Sequence, residues 1–154
     1  MSADARISEL KLELPPAPKP AGVYQPLVVV GNIAYLSGHG PLLPNGTLMV
    51  GRVGDEVDQQ AGYEAARQTG LALLATTRKA LGSLDRVKRV IKLLGMVNCV
   101  PGFTQHPAVI NGCSELFAQV FTPEFGVGAR SAVGMGSLAG GSTVGIGAIF
   151  EGEV

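Results

Sequence analysis

The alternation of apolar and polar positions divides the chain into seven regular elements behind an N-terminal arm. "YQPLVVVGNIAYLSG" is rich in β-branched and aromatic residues and has Gly-Asn at its centre. It predicts a hairpin, with strands over 24–30 and 33–38 and the turn at Gly31-Asn32. From 58 to 81 the spacing becomes helical. Leu71, Leu74 and Leu81 form an apolar stripe among many alanines, Asp55, Glu56 and Asp58 suit the start, and Gly82 suits the end. "RVKRVIKLLGMVNCV" alternates and then turns apolar throughout, which predicts a long strand over 87–99. Pro107 suits the first turn of a second helix, 107–121, whose apolar positions are Val109, Ile110, Cys113, Leu116, Phe117 and Val120. Strands over 129–138 and 143–151 complete the order, with a hairpin turn expected at Gly140-Gly141. The order β-β-α-β-α-β-β predicts an α+β fold with both helices on one face of the sheet. Residues 1–19 read as an arm and residues 20–154 as a single domain, with the proline-stiffened connector "PPAPKPAG", 15–22, across the boundary.

Composition adds a second expectation. The 154 residues are 46% hydrophobic and 16% charged, against about 25% charged in ordinary soluble domains. No apolar run is long enough to span a bilayer. The low charge therefore points to surface buried between copies of the chain, a homo-oligomer. The first twenty residues include acidic side chains and no apolar centre, so a cytoplasmic location is expected, with Cys99 and Cys113 as buried free thiols. Net charge is zero. The cluster Arg78, Lys79, Arg86, Lys88, Arg89 and Lys92 has no aromatics interleaved to stack bases, so nucleic acid is not expected as a partner. His39 and His106 are far apart and no metal-ligand spacing occurs, so no metal or cofactor is expected. "GMGSLAGG" lacks the lysine and following helix of a phosphate loop and reads as packing and turn glycine.

One residue carries the candidate chemistry. In "FGVGARSAVGMGSLAGG" Arg130 is the only charge after Phe125. Alternation sets Arg130, Ala132, Gly134 and Gly136 on one strand face, where small neighbours supply no carboxylate. A guanidinium cannot shed its proton and must be paired when buried. It either reaches solvent or an interface acid, or it grips a ligand carboxylate through two parallel hydrogen bonds.

The stretches "AGVYQPLVVVGNIAYLSG", "DRVKRVIKLLGMV", "INGCSELF", "ARSAVGMGSL" and "GIGAIFE" resemble the RidA/YjgF family over about residues 20–152. Its members are reactive intermediate deaminases, once labelled translation inhibitors or endoribonucleases L-PSP. The resemblance implies a chorismate-mutase-like fold and a homotrimer with a barrel-like centre and ligand clefts between subunits. It implies hydrolysis of imines and enamines derived from amino acids, with small carboxylates as ligands. Arg130 matches the carboxylate-binding arginine; Tyr24, Ser37, Gly38 and Asn111 match residues around the cleft. Two positions depart. Ala132 stands where active members often have cysteine. Gly147 stands where a glutamate holds the attacking water, and Gly145 where acids are common. Glycine cannot orient or deprotonate water. His39, beside Ser37-Gly38, is the expected substitute, with Glu124 and Glu151 as further candidates. A non-catalytic carboxylate-binding protein is the alternative, and an endoribonuclease a third.

Overall fold

The computed structural model describes residues 1–153. Its elements are α1 (Ala3–Glu9), β1 (Leu27–Val30), β2 (Ile33–His39), α2 (Gln59–Leu81), β3 (Val87–Asn98), α3 (His106–Gly126), β4 (Ala129–Met135) and β5 (Val144–Gly152). They form the mixed α+β architecture that the hydrophobic pattern predicts.

Local chemistry sets most boundaries. Gly31 has φ of 62°, which lets Val30 pair directly with Ile33 across a two-residue turn. β1 begins at Leu27 and not at 24, because Pro26 has no amide proton to give to a ladder. The Asp58 carboxylate caps α2 by accepting from the Ala61 amide at 2.8 Å. Gly82, at φ 87°, ends the helix in the left-handed region. α3 carries Pro107 in its first turn, and its regular run breaks at Thr122 ahead of Pro123.

The sheet order is β1-β2-β5-β3-β4. This corrects the expected hairpin between the last two strands. β4 runs parallel to β3 at the sheet edge, while β5 lies antiparallel between β2 and β3. β4 also stops at Met135, and Gly140-Gly141 belong to a short turn in the connection. The physical reason lies in β5: Val144, Ile146, Ala148 and Phe150 are all buried on one face, with glycine at 145 and 147 on the other. Such a strand loses most by standing at an edge. The parallel pairing of β3 and β4 is made possible by α3, which crosses over the sheet between them.

α2 and α3 lie on the same sheet face. Phe117, Phe121 and Phe150 meet edge to face beneath them, with centroids 5.7–6.1 Å apart. The helices touch backbone to backbone at Gly112. α1 closes one end: Ala3 and Ile7 join the core, and the Arg6 guanidinium donates to the Val120 carbonyl at 2.8 Å. On the opposite sheet face Val28, Tyr35, Leu94 and Val133 are 36–46% exposed. Cross-strand pairs Val28–Tyr35, Tyr35–Ile149 and Met96–Val133 place them on one apolar surface.

A methyl group at Gly112 would lie 2.1 Å from the Tyr63 carbonyl oxygen, a backbone atom that cannot move aside alone. Gly112→Ala therefore separates the two helices. Urea denaturation should report a loss of about 1–3 kcal/mol or more; a midpoint equal to that of the parent would contradict this packing.

Candidate functional site

β4 presents Arg130, Ala132 and Gly134 toward α3. The Arg130 Nη1 donates to Asn111 Oδ1 at 2.8 Å and to Ser114 Oγ at 3.1 Å. These two residues are three apart on α3 and so share a helix face. Arg130 is half-buried, and among the described residues no carboxylate pairs with it; Lys88–Glu153 is the only ion pair. One guanidinium nitrogen is thus locked by neutral acceptors, while the charge stays uncompensated. That arrangement holds the fork in place for an anion. Cys113 lies beneath it. Burial pushes its thiol far up, against a smaller opposing pull from Arg130, so it is not a nucleophile at neutral pH.

Of the expected site residues, Arg130 and Asn111 are together, and Tyr24, Ser37, Gly38 and His39 form a second group on and beside β2. The Ser37 hydroxyl donates to the Gln25 carbonyl at 2.6 Å. Tyr24, half-exposed, accepts from the Ala21 amide. A cavity of about 390 Å³ is lined by Tyr24, Gly38, His39, Leu48 and Ser142. A Cβ at Gly38 would meet nothing within 4 Å.

His39 is only 6% exposed. Its Nδ1 contacts the Ser37 carbonyl at 2.6 Å and its Nε2 the Thr76 hydroxyl at 2.7 Å. A carbonyl only accepts, so Nδ1 carries the proton and Nε2 accepts from Thr76. Burial lowers its pKa, and the bond to Ser37 opposes this only in part. A proton-transfer role for His39 requires the Thr76 bond to open first.

The two groups do not meet within one chain. Arg130 pairs with Leu93, Leu93 with Ala148 and Ala148 with Leu36. The groups are separated by three strand spacings, roughly 14 Å. Gly147 lies on the other, open face, where a Cβ would sit 3.4 Å from the Leu36 carbonyl oxygen, an ordinary contact. Packing thus does not demand glycine there. Glu124 is exposed beyond the break in α3, and Glu151 lies at the far end of β5, near Asn32. Among the described residues no three His, Cys, Asp or Glu side chains converge as metal ligands.

Sequence reasoning missed Ser114, although its spacing from Asn111 was the available signal. It also missed His106, whose Nε2 would stand 2.5 Å from a Cβ at Gly134.

A family model described as "YjgF/chorismate mutase-like, putative endoribonuclease" matches residues 4–135. The chain belongs to the YjgF/RidA family. The match begins inside α1, earlier than the resemblance suggested, and ends before β5, the strand that carries Gly145 and Gly147. The Trypanosoma cruzi Protein TCP17 is 40% identical over 147 residues, covering 96% of this chain and 92% of that one. A protein from Shewanella oneidensis, solved as a putative endoribonuclease, superposes with a TM-score of 0.93 at 28% identity, covering 98% and 99% of the two chains. RidA from a Psychrobacter species gives 0.61 at 27% identity, covering 88% and 93%. The chain thus shares the family fold with RidA while its overall shape follows the Shewanella protein more closely.

Burial of neutral His39 has a pH signature. The unfolded imidazole takes up a proton as pH falls through about 6.5, while the folded one resists until a lower pH. Stability is complete above pH 6.5, falls between there and the folded pKa, and then levels. Urea midpoints measured from about pH 8 to pH 5 should show this loss, and His39→Gln should flatten it; an unchanged slope in the variant would remove His39 as its source.

Proposed function

We propose that this YjgF/RidA protein binds small carboxylates at Arg130, in clefts completed by a second copy, and hydrolyses reactive imines and enamines of amino acids to keto acids and ammonia. The observation that carries the reading is the half-buried Arg130 guanidinium, held by Asn111 and Ser114 without a counter-ion. A substrate carboxylate would take the remaining N–H groups as a fork, with hydrogen bonds to a charged donor worth about 1.5–3 kcal/mol.

Two observations support assembly between copies. The apolar open face formed by Val28, Tyr35, Leu94 and Val133 suits burial in an oligomer, and the family resemblance favours a trimer as its form. The split between the Arg130 edge and the Tyr24–Ser37–Gly38 edge would be repaired if one copy's β4 edge approached the β2 region of the next. In such a cleft water adds to the C=N carbon while the nitrogen takes a proton. The carbinolamine then collapses, forming C=O and releasing ammonia. Arg130 fixes the carboxylate, Asn111 and Ser114 position Arg130, and Tyr24, Ser37 and Gly38 border the reacting carbon. His39 is the proposed proton-transfer group.

A second reading, capture without turnover, is favoured by Gly145 and Gly147, which leave no carboxylate on the middle of β5 to hold water. Endoribonuclease activity, the label of several relatives, has less support, since net charge is zero and His39 is engaged on both ring nitrogens.

Calorimetry with 2-oxobutanoate, together with ammonia release from freshly generated 2-aminoacrylate, tests both parts. Arg130→Ala should weaken binding about ten- to a hundredfold and reduce turnover with it. Binding unchanged in the variant would overturn the assignment of Arg130. Binding without any acceleration of ammonia release in the parent would leave the receptor reading in place of the enzyme.

A further inference from the structure

The cavity of about 390 Å³ beside β2 has one formal charge on its wall, the Lys19 ammonium, and the reaction proposed above does not use it. No aspartate or glutamate lines this cavity; apart from Lys19, Tyr24, His39 and Ser142 the wall is proline, glycine, alanine and leucine. Burial keeps the His39 imidazole neutral. Lys19 is exposed in the single chain, and among the described residues it has no ion pair, since Lys88–Glu153 is the only one. Its backbone is nonetheless well placed. Pro18 and Pro20 flank it, and a residue before proline is held in the extended region. Just beyond, the Ala21 amide donates to the Tyr24 hydroxyl at 3.2 Å, which ties the arm to the cavity wall. Lys19 also borders a smaller cavity, where the arm faces Thr76, Lys79 and Ala80 of α2. That side again has no carboxylate and carries a second cation, Lys79, so repulsion between like charges favours the β2 side for the Lys19 ammonium.

We propose that Lys19 receives a second carboxylate, so that the preferred substrates are the imines of acidic amino acids and the products 2-oxo dicarboxylates. The inference rests on the shared cleft proposed above: Arg130 of one copy fixes the α-carboxylate, and Lys19 of the next meets the carboxylate at the far end. Closing that cleft takes the Lys19 ammonium out of water and against a wall without an acid. A cation desolvated without a partner is costly. A monocarboxylate answers Arg130 alone, whereas a dicarboxylate answers both cations. Pro26, Leu42 and Leu48 offer apolar wall to the methylene chain between the two ends. The volume falls within the range of small-molecule sites. Water still adds to the C=N carbon and ammonia still leaves; Lys19 selects the substrate and takes no part in the bond changes.

The test is calorimetry on the full chain with 2-oxoglutarate and with 5-methyl-2-oxohexanoate, in which two methyl groups replace the oxygens of the second carboxylate. 2-Oxoglutarate should bind at least about tenfold more tightly. That ratio should fall to about one in Lys19→Gln and persist in Lys19→Arg, which keeps the charge. Arg130→Ala should weaken both ligands, which ties the preference to the same cleft. Thermal melts confirm that the variants are folded. Equal affinity for the two ligands in the parent, or a ratio unmoved by Lys19→Gln, would overturn the dicarboxylate proposal and leave carboxylate binding at Arg130 standing. Failure of both ligands to bind the parent, or 2-oxoglutarate binding indifferent to Arg130→Ala, would overturn the Arg130 reading and this proposal with it.

Discussion

Helices cover only one face of this sheet, and most other features follow from that. α2 and α3 bury Val144, Ile146, Ala148 and Phe150 of the central strand and leave Val28, Tyr35, Leu94 and Val133 on the opposite side. Apolar surface exposed on a sheet face costs free energy in water in proportion to its area. With few charges to spread over its exterior, the chain has little means of balancing that cost alone. Association of copies through the open face is the physical remedy that the proposed oligomer supplies.

The same topology governs the chemistry. Because β5 is inserted between β2 and β3, the Arg130 edge and the Gly38 region stand three strands apart. Neither half is a complete site. Arg130 has an anchor, made by Asn111 and Ser114, but no group able to activate water beside it. The β2 group has Tyr24, a serine hydroxyl and His39, with Lys19 on the wall of the same cavity, but no guanidinium fork. Burial holds His39 neutral and both its nitrogens are bonded. In the proposed enzyme its chemistry would depend on opening the Thr76 contact.

Much of the fold was legible in the sequence because the local signals agree with the tertiary ones. Asp58 and Gly82 bracket α2, Gly31-Asn32 makes the first turn, and the alternation in β5 marks a buried face. The pairing of the last two strands was not legible. Sequential strands joined by a glycine-rich connection ordinarily form a hairpin, and only the burial of β5 on both sides by other strands displaces β4 to the edge. At the site, Arg130 and Asn111 were legible through the family resemblance, and Ser114 through helical spacing that went unused.

The central claim is that one ligand site draws Arg130 from one copy and the Gly38 region from another. Arg130→Ala removes the anchor, and Gly38→Phe fills the other half at a position where a Cβ has no neighbour within 4 Å in its own chain. Each variant alone should bind 2-oxobutanoate at least about tenfold more weakly than the parent. If the two are unfolded, mixed in equal amounts and refolded together, random assembly places an intact Arg130 opposite an intact Gly38 at roughly a quarter of the interfaces. Calorimetry of the mixture should then recover about that fraction of the parent's binding sites at parental affinity. A mixture that binds no better than its two components would contradict the shared site.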